Sequence, residues 1–449
     1  MALESPEATA EKPRLAVVPK TGPGPVTAPF LLTMPEYNGT LAAARCLGRH
    51  GVSVTMAETA LSAPARWSRH VTRRVAAPPI MDAERFLDWL LEFGVRNSGH
   101  VLYATCDELA WLMASRVAEL RRHFELYQPP ERTILDLLDK KALHDLCGEL
   151  GIPTLTSVFP ETADAALRAG KELGVPLLLK PRTQILLTSR NKGQLVTEAR
   201  ALPRAYAEFV TANRYHPLFA RAVPGVERPM LQAYCAAAAD GIYSLAGFIG
   251  EKEHQVVARG AMKVLQRPRR LGVGMCFEEA PVDAAVLASL VRLCRRVGYY
   301  GVFEAEFVPH DGALRLLDFN PRFYGQMGFE IARGLPLGHM AWLAARGDTS
   351  GLDEAIARAR RWQEGRGYIY CHRSYLKLVI NLRRLAGRMR PEEAARWLGW
   401  LESRRAQGLA VDATHAEDDR WPGWASRGHE VYRALRHPRS FLLTMVLDP

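Results

Sequence analysis

The chain reads as a mixed α/β and α+β protein, with an open parallel α/β unit first, an α+β unit after it and a helical region at the end. Three observations predict this order. Strands and helices alternate over residues 29–130, which is the pattern of a parallel sheet. Two strand-like runs, Phe303–Phe307 and Leu316–Arg322, flank the turn residues His310, Asp311 and Gly312, as in an antiparallel hairpin. Beyond residue 350 the chain turns Arg- and Ala-rich and helical in pattern.

Each element has its own signal. Residues Pro29–Thr33 form a short apolar run, Asn38 and Gly39 make a turn, and Thr40–His50 reads as a helix. A strand at Val52–Thr55 follows, then a helix over Ala83–Phe93 with Phe86, Trp89, Leu90 and Phe93 on one face. Val101–Thr105 is the next strand, and Asp107 is placed to cap the following helix. The stretch from Asp136 to Gly151 reads as one amphipathic helix stopped by Gly151 and Pro153. Ala163–Leu173 reads as a helix, Val175–Lys180 as a strand ending in lysine, and Pro229–Tyr234 and Ile242–Ile249 as strands. A helix over Ala284–Val297 leads into the hairpin. The first strand–helix turn carries Gly39 alone, so the glycine fingerprint of a dinucleotide site is missing.

Composition narrows the function. No apolar run reaches membrane-spanning length. Met1–Pro25 is rich in Ala, Pro, Glu and Gly, without the basic start and apolar centre of a secretory signal, and is expected to be a disordered tail. The seven cysteines are scattered and never in CxxC spacing, which argues against zinc and against a disulfide framework. A reducing cytoplasm is the simplest setting. The formal charge of +11 is concentrated late: residues 355–449 hold 17 Arg and one Lys against ten Asp and Glu. Serines lack a GxSxG setting, histidines lack HExxH spacing, and no P-loop is present.

The hairpin carries the chemistry. Strand alternation puts Asp318, Asn320 and Arg322 on one face. A register pairing Glu306 with Asp318 adds a second carboxylate there. Two carboxylates and an amide oxygen are hard ligands of the kind Mg²⁺ takes, with room left for water and phosphate. Arg322 beside them can hold an anion bidentately. A strand running into a polar turn would share this pattern.

Upstream, Asp139 and Lys140 start a helix leading to Gly151, Ile152 and Pro153; a strand ends at Lys180; and another carries Gln232 and ends near Tyr234 and Cys235. This order, closed by Glu306, Asp318, Asn320 and Arg322, resembles the ATP-grasp superfamily, in the branch of biotin carboxylase and the carbamoyl-phosphate synthetase large subunit. The likeness runs from about residue 29 to residue 348. Ala65–His70 and Tyr103–Glu108 are similar to segments of predicted ATP-dependent carboxylate–amine ligases.

The resemblance implies a tail over 1–28, a pre-ATP-grasp α/β domain over 29–133 and an ATP-grasp domain over 134–348 with a lid subdomain near 155–232. A basic helical region over 349–449 would follow. It implies that Lys140 and Lys180 contact ATP phosphates, although a snorkelling surface lysine shows the same pattern. Gln232 with the backbone of Ala233 and Cys235 would read adenine, and Val308 would press an apolar face on the base; an ordinary core strand fits those residues equally. Glu306, Asp318 and Asn320 would hold Mg²⁺ or Mn²⁺, and Arg322 would stabilise the transferred phosphate.

Met262–Gly274 is basic with glycines, so Lys263 and Arg270 are candidates for contacting an acidic substrate, a solvated loop being the other reading. Residues 181–193 hold a single glycine where carboxylases of this branch have a glycine-rich phosphate loop; Thr188, Ser189, Arg190 and Lys192 are candidates to replace it. The implied reaction is carboxylate activation as an acyl-phosphate and capture by an amine. The alternatives are carboxylation through carboxyphosphate, or a weak nucleotide-binding protein with a basic recruiting tail. The expected partners are a small carboxylate and a small amine, with a homodimer common among relatives and nucleic acid not expected. Tyr375–Leu385 is apolar with Lys and Arg, and is expected to pack inward rather than lie on a membrane.

Overall fold

The computed structural model describes residues 28–58, 62–189, 193–239, 241–267, 273–442 and 445–446. The expected N-terminal tail, Arg190, Lys192 and Arg270 lie outside the described residues.

Three sheets organise the chain. The first holds β1 (Phe30–Leu32), β2 (Val54–Glu58), β3 (Val71–Ala76), β4 (His100–Leu102) and β5 (Phe124–Leu126), all parallel, in the order β3-β2-β1-β4-β5. Strand order reverses between β1 and β4. The carboxyl ends of those two strands flank the crevice where open α/β sheets take ligands. Thr33 and Thr105, just past these ends, are joined by a 2.6 Å hydroxyl bond.

The second sheet is small and antiparallel, with β6 (Ser157–Val158), β7 (Leu177–Lys180), β8 (Gln194–Val196) and β9 (Met230–Ala233) in the order β6-β9-β7-β8. Leu177, Leu179 and Leu231 pack on Ala166, Leu202, Tyr206 and Phe209 from helices Ala163–Leu173 and Leu202–Ala212. Alternation leaves Leu178, Lys180 and Gln232 on the other face.

The third sheet has seven strands: β10 (Ile242–Ile249), β11 (Val256–Arg267), β12 (Val273–Ala280), β13 (Gly301–His310), β14 (Ala313–Asn320), β15 (Ile369–Cys371) and β16 (Ala410–Asp412). Their order is β14-β13-β10-β11-β12-β15-β16. All neighbours are antiparallel except β15 and β16. One face of the β13–β14 hairpin presents Phe303, Ala305 and Phe319 to the main core, where Leu290, Leu293 and Cys294 of helix Ala284–Val297 meet them. The opposite face is therefore free to be polar.

Three expectations change. The stretch from Asp136 to Gly151 is two helices, Glu131–Leu138 and Lys140–Leu150, because Asp139 turns extended and caps the second by accepting from the Lys141 N–H at 2.9 Å. Helix Asp107–Ser115 is capped by Cys106, whose sulfur accepts from the Leu109 N–H, so Asp107 has its carboxylate available elsewhere. The C-terminal region is not purely helical: β15 and β16 extend the third sheet beside β12. Helix Arg373–Leu385 buries Leu376, Val379 and Ile380 against the body, the inward packing its sequence predicts.

A clamp ties the C-terminal region to the first sheet. Asp419 is fully buried and accepts from Arg45 Nε at 2.9 Å, Ser68 Oγ at 2.8 Å and the Arg69 N–H at 2.9 Å. Asp418 beside it takes the Arg49 guanidinium at 2.7 Å. The segment Ala65–His70 therefore has a structural partner 350 or more residues away in sequence.

Candidate active site: a carboxylate–lysine cleft

The hairpin register sets the site. Glu306 pairs with Asp318, and Glu304 pairs with Asn320. Period-2 alternation puts all four on one face of the third sheet. A bulge where Glu306 gives way to Phe307 leaves Leu317 as the extra residue of β14. Leu317 then gathers with Val308, Leu155 and Cys235 in a small apolar cluster.

Lysines close on the carboxylates from two directions. Lys140, the first residue of its helix, donates to Asp318 Oδ1 at 2.6 Å. Lys263 on β11 is 4% exposed and donates to Glu306 Oε1 at 2.5 Å. Burial alone would lower the Lys263 pKa, but the Glu306 carboxylate more than offsets it and the net shift is upward. Burial alone would raise the Asp318 carboxyl, yet Lys140, Lys180 and Arg322 hold it below its ordinary value.

Lys180 arrives from the second sheet. Its ammonium donates to Gln232 Oε1 at 3.3 Å and makes no ion pair within salt-bridge distance among the described residues. Burial and the neighbouring Lys140 charge depress its pKa to about 8, against the pull of Asp318 and Glu306. Lys140, Lys180, Glu306 and Asp318 thus lie within electrostatic reach of one another. Asp318 keeps its side chain 42% exposed.

A second layer orients these groups. Asn320 Nδ2 donates to Glu304 Oε2 at 2.6 Å, which fixes the amide so that Oδ1 accepts from Arg322 Nη2 at 2.8 Å. Glu304 is held in turn by Ser244 Oγ at 2.7 Å and Gln326 Nε2 at 2.9 Å. Burial, with Glu306 adding to it, pushes the Glu304 carboxyl up to about 7. Arg322 forms an ion pair with Asp107 through Nε. The following segment lies over the crevice of the first sheet: the Phe323 N–H donates to Ala104 O at 3.0 Å, and a Cβ on Gly39 would meet Tyr324 O at 2.3 Å.

Thus the structure brings Lys140, Lys180, Lys263, Glu306, Asp318, Asn320 and Arg322 around one cleft. It treats the strand residues Gln232 and Ala233 differently from the sequence expectation. β9 is an interior strand, not an edge, because two-residue β6 pairs along it. The Ala233 N–H donates to Thr156 O at 2.9 Å and the Tyr234 N–H to Pro176 O at 3.3 Å. Ala233 therefore has no N–H to offer a ligand, and the end of the strand at Cys235 is the nearest candidate. Val308 is fully buried, and Leu317, partly exposed beside it, is the better placed apolar surface.

Thr188 and Ser189 do not line the cleft either. The Thr188 hydroxyl and N–H both donate to Arg214 O, and the Ser189 hydroxyl bonds Asn213. Ile185 and Leu186 are buried in the main core, which pins this stretch down.

Sequence reasoning missed Glu304, Asp107, Leu317 and the Arg182–Asp139 ion pair at the start of the Lys140 helix. Alternation with Glu306 was a usable signal for Glu304; the rest depend on contacts between distant segments. A cavity of about 650 Å³ lined by Ile152, Val286, Phe307 and Leu314 lies on the helix side of the hairpin, away from the carboxylates.

The donor set fits a metal-bound polyphosphate. Two carboxylates and an amide oxygen are Mg²⁺ ligands by type, and Lys180 adds an ammonium that makes no ion pair among the described residues. Neither a family model nor a curated protein matches the sequence. Solved structures do match the fold. The L-amino acid ligase of Bacillus licheniformis aligns with a TM-score of 0.56 and 13% identity, over 76% of this chain and 79% of that one. The biotin carboxylase domain of Hydrogenobacter thermophilus 2-oxoglutarate carboxylase, solved with MgADP, ADP and bicarbonate, aligns with a TM-score of 0.54 and 18% identity, over 75% and 70%. N5-carboxyaminoimidazole synthetase of Staphylococcus aureus aligns with a TM-score of 0.52 and 13% identity, over 71% and 78%. The chain has the ATP-grasp fold.

Proposed function

We propose that the protein is an ATP- and Mg²⁺-dependent ligase that activates a carboxylate as an acyl-phosphate and passes the acyl group to an amine. The observation that carries this reading is the cleft where Glu306 and Asp318, each paired with a lysine, face the ammonium of Lys180, which bonds Gln232 and makes no ion pair among the described residues. The similar folds of an amino acid ligase and of carboxylases support the reaction class.

Glu306, Asp318 and Asn320 would hold the metal, whose charge screens the phosphates and eases attack at the γ-phosphorus. Lys140 and Lys263 serve two partners in this scheme. They pair with the carboxylates and would turn to phosphate oxygens on nucleotide binding. Lys180, held by Gln232, adds a point charge from the opposite sheet. The Cys235 backbone with Leu317, backed by the buried Val308, would seat the base.

Arg322 stands where phosphate chemistry meets the crevice of the first sheet. A substrate carboxylate oxygen attacks the γ-phosphorus there and ADP leaves. The amine then attacks the acyl carbon and phosphate leaves. The Arg322 guanidinium, held in plane by Asp107 and Asn320, offsets the charge on the transferred group in both steps. The crevice between the ends of β1 and β4 is the place for the organic substrates.

A screen of carboxylic acids crossed with amines, read by ADP release and product mass, tests the proposal. ADP release is expected to require one acid and one amine together, and to be lost in Asp318→Ala and Lys180→Ala. ADP release that needs bicarbonate instead of an organic acid, or ligation at full rate in both variants, would overturn it.

A further inference from the structure

The helix Trp421–Arg436 is turned inside out for a helix packed on a protein body. At 100° per residue, Trp421, Trp424, Val431, Tyr432 and Leu435 fall on one side, with Gly428 between them. That side faces out: Trp421 is 68% exposed, Trp424 59% and Leu435 79%. The inward side carries polar groups. Ser426 Oγ bonds His372 Nε2 at 2.9 Å, and Glu430 pairs with Arg433 at 3.5 Å. A soluble helix normally shows the reverse arrangement.

Arginines rim the apolar side. Arg427 borders one edge, with its guanidinium 5.0 Å over the Trp424 ring, and Arg436 borders the other. Arg420 precedes the helix and Arg439 follows it, both exposed. From Arg420 to Leu442 the sequence holds five Arg and one acidic residue, Glu430, which points inward. Asp418 and Asp419 are spent on Arg49 and Arg45 of the body.

Charge decides what covers this face. A second copy set face to face would bring one arginine rim against another, with no acid to receive them. An anionic bilayer surface receives both parts. Trp and Tyr suit the depth of the headgroups, Val431 and Leu435 the acyl boundary, and guanidinium the lipid phosphates. No helix among the described residues is long and apolar enough to cross a membrane, so this contact is a lying-on, not a spanning.

We propose that the exposed face of helix Trp421–Arg436 docks the protein on an anionic phospholipid surface. The inference is independent of the ligase reading, because none of these residues touches the cleft.

Flotation of the full chain with vesicles tests it. The protein is expected to rise with phosphatidylcholine vesicles holding about 30% phosphatidylglycerol and to stay behind with phosphatidylcholine alone. Trp424→Ala with Leu435→Ala should reduce partition about tenfold or more while the melting temperature holds, since both side chains are exposed. Arg427→Ala with Arg436→Ala should weaken partition and flatten its salt dependence, a second reading taken from the charged rim. No flotation with anionic vesicles, or undiminished flotation of both double variants, overturns the proposal. So does a concentration-dependent dimer in ultracentrifugation that Trp424→Ala with Leu435→Ala abolishes, since that assigns the face to a second copy.

Discussion

Lys180 is the residue whose surroundings bear most directly on the proposed nucleotide site. The strand period turns it away from the small sheet's core, and Gln232 fixes its tip. Burial and Lys140 lower its pKa to about 8. A bound polyphosphate favours the charged form, so binding above that pKa must take up protons. At about pH 8.5 the calorimetric heat of ATP binding is expected to change with the ionisation enthalpy of the buffer in the sense of proton uptake, and Lys180→Arg should remove that uptake. The pairing of Glu306 with Asp318 was legible in the sequence because period 2 and a short turn fix a hairpin register. The bulge at Leu317 was not legible, since nothing local marks the extra residue. Glu304 obeys the same alternation as Glu306, but its partners Ser244 and Gln326 lie 60 and 22 residues away.

At the level of elements, function depends on how the tip of β14 meets the first sheet. Arg322 is braced by Asp107 of helix Asp107–Ser115, across 215 residues of sequence. That brace exists because Cys106 has taken over the capping role. Asp107→Asn keeps the shape and weakens the brace. It is expected to lower kcat for acyl transfer about tenfold or more with KM for ATP within about twofold, a split measured by steady-state kinetics. An equal effect on both constants would show instead that Arg322 acts in ATP binding. Strands β10 and helix Ala284–Val297 have the bounds their periodicity predicts, because their apolar patterns are long and uninterrupted. The break at Asp139 escaped because the apolar spacing continues across it and only the cap geometry interrupts the helix. β6 escaped because two residues carry no pattern at all, yet it turns β9 from an edge into an interior strand.

Across the whole molecule, the basic C-terminal region belongs to the body. Two of its strands continue the third sheet, and Asp419 is locked under Arg45, Ser68 and Arg69. Its charge was legible from composition, whereas this docking rests on pairings between the two ends of the chain that no local pattern announces. Asp419→Ala would leave the Arg45 guanidinium buried without its partner. It is expected to cost about 3–5 kcal/mol, read as a lower urea midpoint; an unchanged midpoint would show that the clamp is incidental. The central claim is that groups from two sheets and from the helix of Lys140 meet around one metal-bound nucleotide, and calorimetric titration of ATP with and without Mg²⁺ tests it most directly. The account predicts binding by the wild-type chain that strengthens with Mg²⁺, loss of the metal dependence in Asp318→Ala, and affinity at least about tenfold weaker in Lys180→Ala. Absence of ATP binding by the wild-type chain, or equal affinity in all three proteins, would contradict it.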